Sequence, residues 1–170
     1  VGGASSMGKT SLSLALAFNS AKHNIPSVVF SYEMSANQLI TRLVSSESGI
    51  ENRVISSGLI TKDEYTKIID TSNYIKGLPL FVDECSNTSL RYLLNRIRRY
   101  VVSKKVELVM IDYLQLVNNY SKSRSREQEV SQIARSLKNL AKELNISIIA
   151  LSQLSRKVEN RAGCRPTLGD

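Results

Sequence analysis

The stretch GGASSMGKTS, residues 2–11, decides the fold because its fixed residues are spaced as in a phosphate-binding P-loop. Four residues separate Gly3 from Gly8, and Lys9 and Thr10 follow directly. Glycine tolerates backbone angles that other residues resist, so successive N–H groups can point inward at phosphate oxygens. We expect Lys9 to reach the β- and γ-phosphates of a nucleoside triphosphate, and the Thr10 hydroxyl to coordinate Mg²⁺.

The run from Ser11 to Lys22 is typical of a helix, and its N-terminal dipole would face the same phosphates. Only two residues precede the loop, where a buried strand is expected, and the sequence stops after CRPTLGD. We therefore expect residues 1–170 to be one domain that is truncated at both ends. The residues expected to surround the phosphates are Gly3, Ala4, Ser5, Ser6, Met7, Gly8, Lys9, Thr10 and Ser11.

The composition indicates a globular protein, because 42% of its 170 residues are hydrophobic and only three are proline. No apolar run approaches the ~20 residues needed to span a bilayer, so we expect no membrane partner. Cys85 and Cys164 lack the spacing of a disulfide framework or a metal site. This favours a reducing compartment such as the cytoplasm.

The net charge of +8 lies in the second half of the chain. Residues 1–85 carry seven Lys and Arg against eight Asp and Glu, whereas residues 86–170 carry sixteen against seven. A basic half beside a nucleotide-binding half suggests a polyanionic partner in addition to the nucleotide. Solvated helix faces would give the same count, and charge alone leaves the two explanations equal.

Helical and strand patterns alternate along the chain, which predicts an α/β fold with a mostly parallel sheet and helices on both faces. One helix opens with a capping box at Thr61 and Glu64, and we expect Tyr65, Ile68 and Ile69 to share one side of it. The predicted strands are 27–31, 78–83, 106–112 and 146–152, and the other predicted helices cover 37–48, 90–101 and 130–144.

Ligands of such a sheet lie at the carboxyl ends of its strands, and two strand ends there could supply the acid for Mg²⁺. One is Leu80–Glu84, an apolar run that ends in Asp-Glu. The other is Leu108–Asp112, which is the more apolar strand. Periodicity alone does not choose between them.

Four further segments, taken together and in order, are more specific than the P-loop. They are FSYEM (30–34), VMIDYLQLV (109–117), EVSQIARSLKNLAKELNISIIALSQLSR (129–156) and ENRAGCRPTLGD (159–170). With SSMGKTS before them, they resemble the motor domain of replicative DnaB-family helicases over essentially the whole chain. The resemblance implies a RecA-like P-loop ATPase that uses ATP and Mg²⁺ and assembles as a homo-hexameric ring.

The resemblance also implies roles for three polar residues. Glu33 corresponds to the base that activates water, Asp112 to the Mg²⁺-linked acid, and Gln153 to the sensor that couples the γ-phosphate to DNA-binding loops. The chain departs from the family pattern in having Ala4-Ser5 where Arg-Pro is common and Tyr32 where Leu is frequent. The resemblance implies that the family's arginine finger would lie beyond residue 170.

Two basic segments follow the strands that end in Asp112 and Gln153, where RecA-like motors place loops that face the central channel. The resemblance implies that these segments bind the backbone of single-stranded DNA, largely without sequence preference. A solvated loop or a subunit contact is the alternative. The candidate DNA-binding residues are Lys122, Arg124, Arg126, Arg156 and Arg161.

The function implied is an ATP-driven helicase motor that unwinds duplex DNA at the replication fork, with primase and a helicase loader as partners. A RecA-like recombination or repair ATPase and a nucleotide-gated DNA-binding module are the alternatives. The SYEM and IDYLQL segments favour the helicase over the recombinase. Retention of Lys9, Thr10, Glu33 and Asp112 argues against a module without turnover. Bacterial, phage and organellar origins all stay open.

Overall fold

A computed structural model of the protein describes residues 1–4, 7–118 and 126–154. Short strands alternate with helices along the described chain. The elements are β1 (Gly2–Gly3), α1 (Lys9–Lys22), β2 (Ser27–Ser31), α2 (Ala36–Ser48), α3 (Asn52–Ser57), α4 (Lys62–Gly77), β3 (Leu80–Glu84), α5 (Leu90–Lys104), β4 (Leu108–Asp112), a 3₁₀ turn (Leu114–Leu116), α6 (Arg126–Leu144), β5 (Ser147–Ala150) and β6 (Ser152–Gln153).

Every strand pair in the described chain is parallel. Four strands form one sheet in the order β3-β2-β4-β5, and β1 pairs with β6. The amino group of Val1 donates to the Ala150 carbonyl at 2.9 Å, which places β1 beside the end of β5. The predicted parallel α/β sheet is therefore confirmed.

Helices cover both faces of the sheet, also as predicted. Strand residues alternate between the two faces, so each strand contributes to two separate cores. On one face Val29 and Met110 pack with α1, α2 and α4, and on the other Phe30 and Ile111 pack with α5 and α6. None of the helices among the described residues is both long and apolar enough to cross a membrane.

Helix α4 has the predicted capping box, and of the three residues predicted to share one side, Ile68 is the one that packs against the core. The Thr61 hydroxyl accepts from the Glu64 N–H while the Glu64 side chain accepts from the Thr61 N–H, so the predicted capping box is present. Tyr65 and Ile69, however, are exposed. The packed side of α4 runs instead through Ile68 and Ile75, seven residues or two turns apart. Tyr65 and Ile69 lie beside that stripe rather than in it.

Candidate active site

At Gly8 the P-loop has the backbone geometry that a glycine predicts. Gly8 is the residue before α1 and has a φ of +79°, a left-handed conformation that a side chain would strain. A Cβ atom on Gly3 would lie 3.3 Å from Cγ of Lys9, so glycine lets the lysine stem pass close to the backbone. The Lys9 ammonium donates to the Ala4 carbonyl at 2.6 Å, which holds it over the loop.

Thr10 and Asp112 meet although 102 positions separate them in the sequence. The Thr10 Oγ1 hydroxyl donates to Asp112 Oδ2 at 2.5 Å. Asp112 is the last residue of β4 and is only 2% exposed, and the peptide bond that follows it is cis. A hydroxyl and a carboxylate oxygen beside a phosphate-binding loop are the kind of ligands that Mg²⁺ accepts, so this pair fits the predicted metal.

Glu33 lies on a short turn between β2 and α2 and is exposed. The turn is closed by Ser31, whose hydroxyl donates to the Met34 carbonyl at 2.7 Å and accepts from the Met34 N–H at 3.1 Å. Beyond the turn, the Glu84 carboxylate accepts from the Ala36 N–H at 3.0 Å, in the first turn of α2. The segment that carries Glu33 is thus fixed on both sides.

A cleft of about 350 Å³ brings the predicted catalytic and metal residues together with part of the predicted nucleotide loop. Gly3, Ala4 and Met7 of that loop do not line it. Its position matches the expectation for a parallel sheet, because it lies at the carboxyl ends of β2, β4 and β6. The residues that line it are Gly8, Lys9, Thr10, Ser11, Glu33, Met34, Arg42, Asp112 and Gln153.

Arg42 is a lining residue that the sequence reasoning missed. It lies on α2 and is exposed, and within the described residues its guanidinium has no carboxylate partner. A positive charge in this position can stabilise phosphate oxygens. One feature of the sequence could have identified Arg42: it is the sole cationic residue of a helix that starts three residues after Glu33.

Asp83 and Glu84, the other acidic pair considered for Mg²⁺, do not reach the cleft. β3 is an edge strand of the four-stranded sheet. Asp83 is buried on the opposite face, where it accepts from Arg96 Nε at 3.0 Å, and Glu84 is bonded to α2. The Arg96 guanidinium therefore forms an ion pair with Asp83 within the protein.

Cys85 completes this buried polar group. Its thiol donates to Asp83 Oδ1 at 3.6 Å. Burial, and after it the negative charge of Asp83, raises the pKa of the Cys85 thiol to about 12. The thiol is therefore neutral and unreactive at physiological pH, as expected for a cysteine with a packing role.

Of the predicted DNA-binding residues, the structure describes one. Arg126 begins α6, and its guanidinium donates to the carbonyls of Gln115 and Val117 and pairs with Glu129. Part of its hydrogen-bonding capacity is thus used within the protein, and contact with DNA stays a prediction. The predicted residues that lie outside the described part of the chain are Ser5 and Ser6 of the P-loop, and Lys122, Arg124, Arg156 and Arg161.

Comparison with known protein sequences gives matches over the whole chain. The family model described as DnaB-like helicase C-terminal domain matches residues 1–170. A probable replicative DNA helicase of Trieres chinensis is 42% identical over 173 residues, which cover 100% of this chain and 38% of the relative. The replicative DNA helicase DnaB of Synechocystis sp. is 42% identical over 171 residues, which cover 99% of this chain and 19% of the relative. The chain therefore spans well under half the length of these relatives.

Solved structures show the same likeness in three dimensions. One that is described as an ATPase domain superposes with a TM-score of 0.89 at 32% identity, over 99% of this chain and 61% of that one. A DnaB-like replicative helicase, described together with its interactions with primase, also gives a TM-score of 0.89 at 32% identity, over 99% of this chain and 41% of that one.

Proposed function

The chain belongs to the DnaB-like helicase C-terminal domain family, and on that premise we propose that it is the ATP-hydrolysing motor of a replicative DNA helicase. The motor translocates on single-stranded DNA and unwinds the duplex at the replication fork. The observation that carries the proposal is the meeting of Lys9, Thr10, Glu33, Asp112 and Gln153 in one cleft. These are the groups that phosphoryl transfer to water requires: a phosphate cradle, a metal site, a base and a sensor.

The P-loop and the end of β4 would hold Mg²⁺-ATP. The N–H groups at the start of α1 and the Lys9 ammonium would bind the phosphate oxygens. To do so, the ammonium would exchange its hydrogen bond with the Ala4 carbonyl for one with a phosphate. Thr10 and Asp112 would hold Mg²⁺, which neutralises charge that develops on the phosphates. The fit rests on the 2.5 Å contact of the Thr10 hydroxyl with the Asp112 carboxylate, since both oxygens are suited to a hard cation.

Glu33 is the base that takes a proton from the attacking water. Its exposed carboxylate lines the cleft, and the turn closed by Ser31 limits its movement. Gln153 lines the same cleft from the end of β6 and senses the γ-phosphate. Arg42 adds a positive charge to the cleft wall and stabilises the transferred phosphoryl group.

The DNA, subunit and protein partners follow from the family and from the charge of the second half of the chain. Lys122, Arg124 and Arg126 would bind DNA phosphates from one loop, and Arg156 and Arg161 from the next. The working assembly is a homo-hexamer in which a neighbouring subunit supplies an arginine. One structural relative is described with primase, which supports primase as a partner, and a helicase loader completes the set.

The test is Glu33→Gln in the full-length protein. We expect ATP binding to be retained and kcat to fall by at least ~10²-fold, because a general base contributes about that much. Glu84→Gln is the matched control, since the same change is made outside the cleft and the amide oxygen of glutamine can still accept from the Ala36 N–H. Turnover that survives in Glu33→Gln but is lost in Glu84→Gln would overturn the assignment, and a full-length protein that fails to unwind forked DNA would overturn the helicase function.

A further inference from the structure

A second glutamine lies beside the cleft and contacts Gln153. Gln115 is half-buried in the 3₁₀ turn directly after β4. Its Nε2 donates to the Gln153 carbonyl at 2.9 Å, and its Oε1 accepts from the Gln153 N–H at 3.1 Å. The same Nε2 also donates to Ser152 Oγ at 2.8 Å. One side-chain amide therefore bonds both backbone polar groups of the predicted sensor.

The geometry of β6 explains why this amide is needed. The N–H groups of Ser152 and Leu154 donate to the carbonyls of Val1 and Gly3, at 2.8 and 3.2 Å. Neighbouring residues of a strand direct their N–H and C=O groups to opposite edges, so those of Gln153 point away from β1. β4 has already ended at Asp112 on that side. On that side the Gln115 side chain makes the two backbone hydrogen bonds that a neighbouring strand would otherwise make.

The main-chain carbonyl of Gln115 makes a second contact, with the side chain of Arg126. Its carbonyl accepts a hydrogen bond from the guanidinium of Arg126, which also donates to the Val117 carbonyl at 3.3 Å. Arg126 and Asn118 flank one predicted DNA-binding segment, and the Arg126 guanidinium lies 3.5 Å from Asn118 Oδ1. The two ends of that segment are therefore joined next to Gln115.

We propose that Gln115 is the positioning residue that couples the nucleotide cleft to DNA. Its side chain fixes the backbone of Gln153, and through it the direction in which the Gln153 side chain enters the cleft. Its carbonyl anchors Arg126 at the end of the segment that carries Lys122 and Arg124. The proposal rests on the proposed function, because it assumes that DNA stimulates ATP hydrolysis.

The primary test is Gln115→Met in the full-length protein. Methionine keeps the length and much of the volume of glutamine but forms none of the three strong hydrogen bonds. We expect stimulation of ATP hydrolysis by single-stranded oligo-dT to fall at least about fivefold, the lower end of typical coupling between sites. The KM for ATP should stay at the wild-type value, because Lys9 and Thr10 are not touched.

A double-mutant cycle tests whether Gln115 acts through Gln153. In a Gln153→Ala background, Gln115→Met should reduce stimulation no further, since the residue that it positions is already lost.

Gln128→Met is the matched control, because Gln128 is an exposed glutamine on α6. Single-stranded DNA should stimulate ATP hydrolysis by this variant as much as by the wild type. If Gln115→Met does not fold, Gln115→Glu replaces it, as the acid keeps the acceptor for the Gln153 N–H but loses the donor to its carbonyl.

Wild-type stimulation in Gln115→Met would refute the positioning role and assign the residue to packing. A further loss in the Gln153→Ala background would refute the route through Gln153. A wild-type protein that hydrolyses ATP without any response to single-stranded DNA would instead refute the proposed function. Failure of the inference and failure of the function on which it rests are therefore distinguished.

Discussion

Ser31→Ala separates the fixing of the Glu33 turn from the chemistry of Glu33 itself. Ser31 is 1% exposed, and its hydroxyl makes two hydrogen bonds with the backbone of Met34, at 2.7 and 3.1 Å. Each such bond contributes roughly 0.5–1.5 kcal/mol net, so the variant should lose about 1–3 kcal/mol of its free energy of unfolding. A typical domain has a free energy of unfolding of about 5–15 kcal/mol, and the variant should therefore stay folded.

The larger effect is expected on kcat. Without the hydroxyl the turn can relax and move the Glu33 carboxylate, and a displacement of about 1 Å can cost on the order of 10²-fold in rate. We expect a fall in kcat approaching that size, with KM for ATP unchanged because the P-loop is intact. The assays are steady-state ATP hydrolysis and urea denaturation of the full-length protein.

The matched control is Ser45→Ala, further along α2. The Ser45 hydroxyl is also partly buried and donates to a backbone carbonyl, that of Ile50, at 2.7 Å. This variant should lose about 0.5–1.5 kcal/mol of stability and keep its kcat. Wild-type kcat in Ser31→Ala, or an equal loss of kcat in both variants, would refute the idea that the turn positions Glu33.

Two more predictions concern the DNA segments and pH. When Lys122, Arg124 and Arg126 are all replaced by alanine, binding to single-stranded DNA should weaken and its salt dependence should flatten, because fewer counterions are released. Basal ATP hydrolysis should persist. An unchanged salt dependence would indicate that this segment is a solvated surface. Because burial raises the pKa of Cys85 to about 12, the folded state holds this proton more tightly than the unfolded state, whose thiol has a pKa of about 8.5. The free energy of unfolding should therefore fall as the pH rises from about 8.5 toward 12, more in the wild type than in Cys85→Ala, and equal slopes in urea titrations would contradict this.

The sequence was sufficient wherever one local pattern sets the geometry. The P-loop spacing, the capping box of α4 and the predicted helices at 90–101 and 130–144 each depend on residues a few positions apart, and each is present in the structure. Short elements without periodicity were not found. Helix α3, Asn52–Ser57, has no buried residue and therefore no apolar pattern to reveal it.

Residues that act through distant contacts were also missed. Gln115 meets Gln153 only because β4 ends before β6, and no spacing within the sequence states where neighbouring strands end relative to one another. Arg42 enters the cleft because α2 packs beside α1, which is again a tertiary effect. The resemblance to known motors located Glu33, Asp112 and Gln153, but it did not supply these two supporting residues.

The choice between the two acidic strand ends depends on strand parity, which the register shows. Ser31 pairs with Glu84 on one side and with Asp112 on the other, so the three residues lie at one level and point to the same face of the sheet. That face carries α1 and the P-loop. Asp112 lies on β4, which is paired with β2, and its side chain meets Thr10 at the start of α1. Glu84 shares the face but lies on the edge strand, so it reaches α2 instead. Asp83, one position earlier, faces α5 and must pair with Arg96. A carboxylate at the end of a strand is thus placed to hold a metal or to act as a structural anion according to its parity and its distance from the P-loop, and neither is a property of the acid itself.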